Sequence, residues 1–191
     1  MEVILASQSP RRKELLGLFH IPFIIRVPDA DETMDPALSP AEAVALVSRR
    51  KAEAVIRSND DLVIAADTIV VCNGQILGKP KDADDASKML HLLSDRDHQV
   101  MTGMTVLRGD VCKTVTEITD IHFRPLTDRE INAYIATKEP MDKAGAYGIQ
   151  GGAALFADRL CGDYYNVMGL PVCRLGLLLR EIAPEIMEDS E

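Results

Sequence analysis

A mixed α/β fold is what this sequence predicts, and three observations carry it. Short β-branched runs alternate with capped helical segments. Hairpin signals join two of the strand pairs. No repeat, low-complexity tract or linker interrupts the 191 residues. Helical crossovers favour parallel neighbours and tight turns favour antiparallel ones, so a chain that uses both predicts a mixed sheet. One continuous domain over residues 1–191 is expected, long enough to bury a substantial core, with an acidic tail fraying from Glu185.

The totals exclude several function classes. A net charge of -9 argues against a general nucleic-acid binder, because a phosphate backbone needs a basic surface. It leaves room for a small phosphorylated ligand on a local basic cluster. Met1-Glu-Val-Ile-Leu-Ala6 has no basic region before an apolar core, so no signal peptide is expected. Asp67 and Arg174 break the most apolar runs, so no membrane partner is expected either. Cys72, Cys112, Cys161 and Cys173 lack zinc-site spacing and fit reduced thiols in the cytoplasm.

Val3 to Ala6 reads as a buried strand leading into Ser7-Gln-Ser9-Pro10-Arg11-Arg12-Lys13. Ser9 is the expected N-cap and Pro10 the first helical residue, with Leu15, Leu18 and Phe19 as the core stripe. Arg11, Arg12 and Lys13 crowd the positive end of the helix dipole. Either an external anion resolves that conflict or the turn is simply solvated. Ile21 to Val27 reads as a second strand, followed by the acidic loop Asp29, Asp31 and Glu32. Such a loop suits a divalent cation or plain solvent.

Ser39-Pro-Ala-Glu42 is a capping box that opens a helix to about Arg57, with Val44, Val47, Ala54 and Val55 facing inward. Lys51 lies on that stripe, seven residues after Val44, where an ammonium needs an anion or must snorkel. Leu62 to Pro80 is the most informative stretch. It is an apolar run with Asp67 in its middle and Asn73-Gly74 as a two-residue hairpin turn. That register places Cys72 against Gln75 and projects Thr68 opposite Lys79, with Asp67 one residue off. The stretch alone accommodates a core hairpin with an Asp at its mouth as readily as a catalytic carboxylate.

Asp82 is expected to cap a helix with Ala86, Met89, Leu90 and Leu93 inward, while His91 and His98 read as surface residues. Gln99 to Leu107 and Val111 to Phe123 form the next strand pair, with Gly103 marking a bulge or a close approach. Thr127-Asp-Arg-Glu130 is a second capping box, with Ile131, Tyr134 and Ile135 inward. Four glycines between Gly145 and Gly152 suggest that backbone closes on a ligand there, although neither a Walker loop nor a dinucleotide fingerprint is present. Ala153 to Ala157 is expected as a strand. Tyr164 to Pro171 is expected as strand and turn before a last helix to Ile182.

Taken together, Ala6-Ser-Gln-Ser-Pro-Arg-Arg12, Ala66-Asp-Thr68, Gly78-Lys-Pro80, Asp142-Lys-Ala-Gly-Ala-Tyr-Gly-Ile-Gln-Gly151 and Val167-Met-Gly-Leu-Pro171 resemble the motifs of the Maf family of nucleoside triphosphate pyrophosphatases, in family order across nearly the whole chain. The resemblance implies a two-lobed domain around a mixed twisted sheet with a central cleft, similar to inosine triphosphate pyrophosphatases. It implies hydrolysis between the α- and β-phosphates with a divalent metal, Mg or Mn, and substrates of the dTTP/UTP branch. It leaves a homodimer open. A nucleotide-sensing protein of septum formation, with little turnover, is the alternative that the family suggests.

The residue chemistry agrees. Attack at an α-phosphate needs a base for water, cations for the developing charge and a metal on the triphosphate. Asp67 supplies the base, Lys51, Lys79, Arg11 and Arg12 the cations, and Glu32 with Asp67 the metal contacts. Gln150 offers an amide edge that complements uracil or thymine. The resemblance adds Ser7 as a substrate contact and groups Arg12 and Thr68 with Gln150 for base choice.

Overall fold

A computed structural model describes residues 1–188. Seven strands, β1 (Val3–Ala6), β2 (Ile24–Ile25), β3 (Leu62–Cys72), β4 (Gln75–Leu77), β5 (Arg96–Arg108), β6 (Val111–Phe123) and β7 (Ala157–Cys161), form one mixed sheet. Their hydrogen-bonded order is β2-β1-β3-β5-β6-β7, with β4 paired to β3. The helices are α1 (Pro10–Gly17), α2 (Pro40–Val55), α3 (Ala83–Leu93), α4 (Asp128–Ala136), α5 (Tyr164–Met168), α6 (Val172–Ile182) and α7 (Glu185–Glu188). Among the described residues, no helix is long and apolar enough to cross a membrane. The mixed α/β expectation holds. The chain divides into two compact units, the first Met1–Asp67, Thr102–Glu117 and Gly169–Glu191, the second Thr68–Met101 and Ile118–Met168.

In the first unit β1 pairs parallel to both β2 and β3, with Ile4 opposite Val63 and Ala6 opposite Ala65. Both strands are wholly buried there, the signature of a central parallel strand covered on both faces. Helix α2 begins at the expected capping box: the Ser39 hydroxyl accepts from the Glu42 N–H and the Glu42 carboxylate accepts from the Ser39 N–H. It ends at Val55 with Val44, Val47, Lys51 and Val55 buried, whereas Ala54 turns to solvent. Gly103 is the close approach anticipated, because a Cβ there would lie 2.3 Å from the Val44 carbonyl oxygen.

The α1 stripe differs from expectation. Leu15 and Leu16 are buried, and Leu18 is 55% exposed. The helix has only eight residues, so its inward face is set within two turns and Leu18 lies past it. The second strand shrinks to Ile24–Ile25, because Pro22 and Pro28 flank it and lack the N–H that a ladder needs. The tail expected to fray from Glu185 is helical through Glu188, with Ile186 buried; the remainder lies outside the described residues.

In the second unit Asn73 and Gly74 both have positive φ, and Cys72 pairs with Gln75 as the hairpin register required. That ladder stops at Val70–Leu77. The projected Thr68–Lys79 pair does not form; the Gly78 carbonyl leaves the ladder and accepts from the Gly145 N–H at 3.0 Å. Gly152–Leu155 is a 3-10 turn and Tyr164–Met168 a helix, where strands were expected. Alanine in the one and the Asn166 anchor on the Val100 carbonyl in the other favour these local turns over extended chain.

His98 is the clearest correction of this unit. It is 2% exposed, with Nε2 2.8 Å from the Tyr147 hydroxyl and edge-on contacts to Phe123 and Tyr147. Polar residues in a half-buried strand alternate faces, and a register starting at Arg96 rather than Gln99 turns His98 inward. Burial pushes its imidazole down to about 4, against smaller raising effects from the Arg96 backbone and Asp97. The folded chain therefore excludes a proton that the unfolded chain binds between about pH 6.5 and pH 4. Stability is fully present above that window and falls as pH drops through it. Urea unfolding at about pH 7 and about pH 4.5 is expected to show a loss of about 2–3 kcal/mol that His98→Gln lacks. Equal losses in the two proteins would refute the assignment.

Candidate active site

The first unit gathers Ser7, Arg12, Glu32, Lys51 and Asp67. Lys51 is carried inward by α2 and is only 7% exposed. Its Nζ lies 2.6 Å from Asp67 Oδ1 and 3.0 Å from Glu32 Oε1. The inward lysine has therefore found two anions instead of snorkelling to solvent. Asp67 and Thr68 are the half-buried pair in the middle of β3, between buried residues Leu62 to Ala66 and Ile69 to Cys72. Asp67 closes the first unit and Thr68 opens the second.

Glu32 reaches Lys51 because its loop is tied to the same helix. Arg50 donates to the Thr33 carbonyl at 2.9 Å and pairs with Asp31 at 3.7 Å. Asp31 also accepts from the Thr33 N–H at 2.9 Å, tightening the turn around Glu32. The acidic loop is thus neutralised by α2, and among the described residues no three His, Cys, Asp or Glu side chains gather as metal ligands. Asp67 and Glu32 nevertheless converge on one point, Lys51 Nζ. Two carboxylates are an oxygen donor set that suits a hard cation such as Mg, which takes few protein ligands.

The turn before α1 is organised by Ser7 instead of Ser9. Ser9 makes no side-chain cap, and the Ser7 hydroxyl accepts from the Ser9 N–H at 3.2 Å and from Arg12 Nη1 at 3.3 Å. A Pro at the next position holds Ser9 extended, and helix α1 begins without a side-chain cap. Arg12 Nε donates to the Gly169 carbonyl at 2.8 Å. Gly169 has φ of 109°, a conformation that L side chains rarely adopt, so the glycine of Val167-Met-Gly-Leu-Pro171 is what aims that carbonyl. Burial lowers the Arg12 guanidinium's proton affinity and neighbouring Asp67 raises it. An arginine stays cationic under such a shift. Arg11 is half-buried next to it and adds a second positive charge. No acidic residue stands in the first turn of α1, so that helix end keeps an unanswered positive field.

Lys79 and Gln150 belong to the second unit, and both are exposed. Lys79 follows Gly78, whose carbonyl holds Gly145. Gln150 rides the glycine-rich segment. Its glycines close on the protein's own side chains: a Cβ on Gly151 would lie 1.9 Å from Glu139 Oε1, and one on Gly145 would lie 2.8 Å from Val70 Cγ2.

Arg50, Gly169 and Glu139 are the residues that sequence reasoning missed. A positive-φ glycine between Met168 and Leu-Pro was a visible signal for Gly169. Arg50 and Glu139 act through backbone partners that only the folded chain supplies.

The fold and site define a mixed α/β protein in which two arginines open a helix and a buried ammonium is shared by two carboxylates. The chain belongs to the Maf-like protein family, whose model matches residues 2–182. The dTTP/UTP pyrophosphatase of Bacillus cytotoxicus is 50% identical over 173 residues, 90% of this chain and 91% of the relative. That of Alkaliphilus metalliredigens is 50% identical over 183 residues, 94% and 95% of the two chains. A solved structure of a HAM1 protein from Coxiella burnetii covers 95% of this chain and 99% of its own, with a TM-score of 0.51 and 17% identity. At that identity the likeness is one of fold.

The Lys51–Asp67 pair is measurable by a double-mutant cycle. Lys51→Met alone leaves a half-buried carboxylate without its donor and is expected to destabilise by about 1–3 kcal/mol. Asp67→Asn in the Lys51→Met background removes that charge and should recover part of the loss, giving a coupling of about 0.5–2 kcal/mol in urea unfolding. Additive losses would show that the pair is not formed.

Proposed function

We propose that this protein hydrolyses dTTP and UTP to the nucleoside monophosphate and pyrophosphate. The observation that carries the reading is Lys51, buried and bonded to both Asp67 and Glu32 beside the Arg12 turn. Relatives sharing half their residues over nine-tenths of the chain are named for that activity.

Asp67 takes the proton of a water whose oxygen attacks the α-phosphorus. The bond from that phosphorus to the bridging oxygen breaks, and pyrophosphate leaves with the electron pair. Lys51 orients Asp67 through Oδ1 and places an ammonium against developing phosphate charge. Arg11 and Arg12 bind triphosphate oxygens, and Ser7 keeps Arg12 aimed. Asp67 and Glu32 would hold a Mg or Mn ion together with phosphate oxygens, which supplies charge neutralisation along the triphosphate. Gln150 reads the base. The four free cysteines support a reducing, cytoplasmic setting.

The test is product analysis with dTTP, UTP, CTP and 7-methyl-GTP in magnesium or manganese. Pyrophosphate is the expected product, and orthophosphate as the primary product would overturn the assignment. Asp67→Asn keeps the shape and removes the basic oxygen, so kcat should fall by roughly two to four orders of magnitude. Activity within tenfold of wild type would remove Asp67 from proton transfer.

Base choice has its own test. A buried polar edge left unpaired costs about 1–3 kcal/mol, so Gln150→Glu should lower kcat/KM for dTTP and UTP by roughly ten- to hundredfold. It should also narrow the gap to 7-methyl-GTP, whose cationic ring suits a carboxylate. An unchanged ranking of the four nucleotides would exclude Gln150 from base recognition.

A further inference from the structure

Gln150 sits on an arch whose two ends are tied to a single side chain. The Gly148 N–H donates to the Tyr134 hydroxyl at 3.0 Å, and that hydroxyl donates to Glu139 Oε1 at 3.0 Å. The second carboxylate oxygen, Oε2, accepts from the Gly152 N–H at 3.1 Å. Glu139 thus holds the arch from Gly148 to Gly152 at both feet, directly at one and through Tyr134 at the other.

The glycines are shaped to this carboxylate. A Cβ on Gly151 would meet both Glu139 oxygens, at 1.9 and 2.5 Å; one on Gly148 would stand 3.3 Å from Oε1; and one on Gly152 would stand 3.0 Å from the Tyr134 ring. Backbone closes around Glu139 only because those positions lack side chains.

Glu139 is itself fixed. Its N–H donates to Thr137 Oγ1 at 3.2 Å, and its carbonyl accepts from Lys143 Nζ at 2.6 Å. Tyr134 is buried against the Phe156 ring at 5.2 Å. Burial, reinforced by neighbouring Glu139, holds the Tyr134 phenol well above its usual range, so it remains a donor.

We infer that Glu139, acting with Tyr134, is the positioning residue for base discrimination: it fixes the Gly148–Gly152 arch so that Gln150 meets the base with a preset orientation. The inference rests on Gln150 as the base reader in the function proposed above. Pre-organisation of this kind lowers the ordering demand of binding, so its loss falls on KM and on selectivity ahead of kcat.

The experiment compares wild type, Glu139→Gln, Tyr134→Phe, their double variant and Gln150→Ala. Each is assayed for kcat and KM with dTTP, UTP, CTP and 7-methyl-GTP, and for amide hydrogen exchange over residues 148–152. Glu139→Gln turns one acceptor into a donor that faces the Tyr134 hydroxyl or the Gly152 N–H. Tyr134→Phe keeps the ring packing and removes only the hydroxyl, so a folded protein is available if Glu139→Gln is poorly stable.

The expected result for either single variant is a roughly tenfold loss of dTTP-over-CTP discrimination, carried mainly by KM, with faster exchange at the arch. The double variant should lose little more than either single one, because both act through one hydrogen-bonded chain. Faster exchange with discrimination retained, in Glu139→Gln or Tyr134→Phe, overturns the inference and leaves the two residues merely structural. Failure of the underlying reading looks different: wild type releases no pyrophosphate, or Gln150→Ala leaves the nucleotide ranking as it was.

Discussion

A buried ammonium shared between two carboxylates governs the first unit. Lys51 enters from a helix whose other inward residues, Ser48 apart, are apolar, and an unpaired charge there would be expelled or neutralised. Asp67 and Glu32 remove that problem from different directions in the chain, one from the middle of a strand and one from a loop. Each then depends on a further contact. The loop stays in place through Arg50, and Asp67 stays in place because five buried residues of β3 precede it. Loss of Lys51 therefore reaches helix, strand and loop together.

The second unit solves a related problem with backbone. Glycine-rich segments are commonly read as ligand cradles, yet here Gly148, Gly151 and Gly152 pack on Glu139 and Tyr134, and Gly145 packs on Val70. An exposed arch would otherwise be loose, since glycine loses more conformational freedom on ordering than any other residue. Charge-assisted hydrogen bonds from Gly152 and, through Tyr134, from Gly148 offset that entropy. Rigidity is obtained from inside the protein, leaving Gln150 exposed at the crown.

Much of this was legible before folding, and the reasons differ by element. Capping boxes at Ser39 and Thr127 are local, so the helix starts they announce hold to the residue. The Asn73-Gly74 turn fixes its own register for the same reason. Lys51 was found from periodicity alone, because seven residues make two helical turns. What was not legible depends on partners far along the chain. Gly169 lies 157 residues from Arg12, and the strand that buries His98 begins at Arg96, ahead of the Gln99 start that the sequence suggested. Short segments failed as well: Gly152–Leu155 and Tyr164–Met168 have too few residues to show either period.

Charge placement explains how a chain of net charge -9 is suited to a triphosphate. Long-range attraction cannot be the means, because acidic surface repels polyanions and salt screens the rest. Recognition must be local. Arg12 is held at Nε by the Gly169 carbonyl and at Nη1 by the Ser7 hydroxyl, with Asp67 and Glu32 acting on its charge from nearby. Lys51 differs: its ammonium is already shared by two carboxylates. A phosphate approaching it meets Asp67 and Glu32 as well, and that repulsion is relieved most directly by a divalent cation on the same two side chains. Under the function proposed above, the arrangement that makes a buried lysine tolerable is thus the one that would make anion binding conditional on a metal.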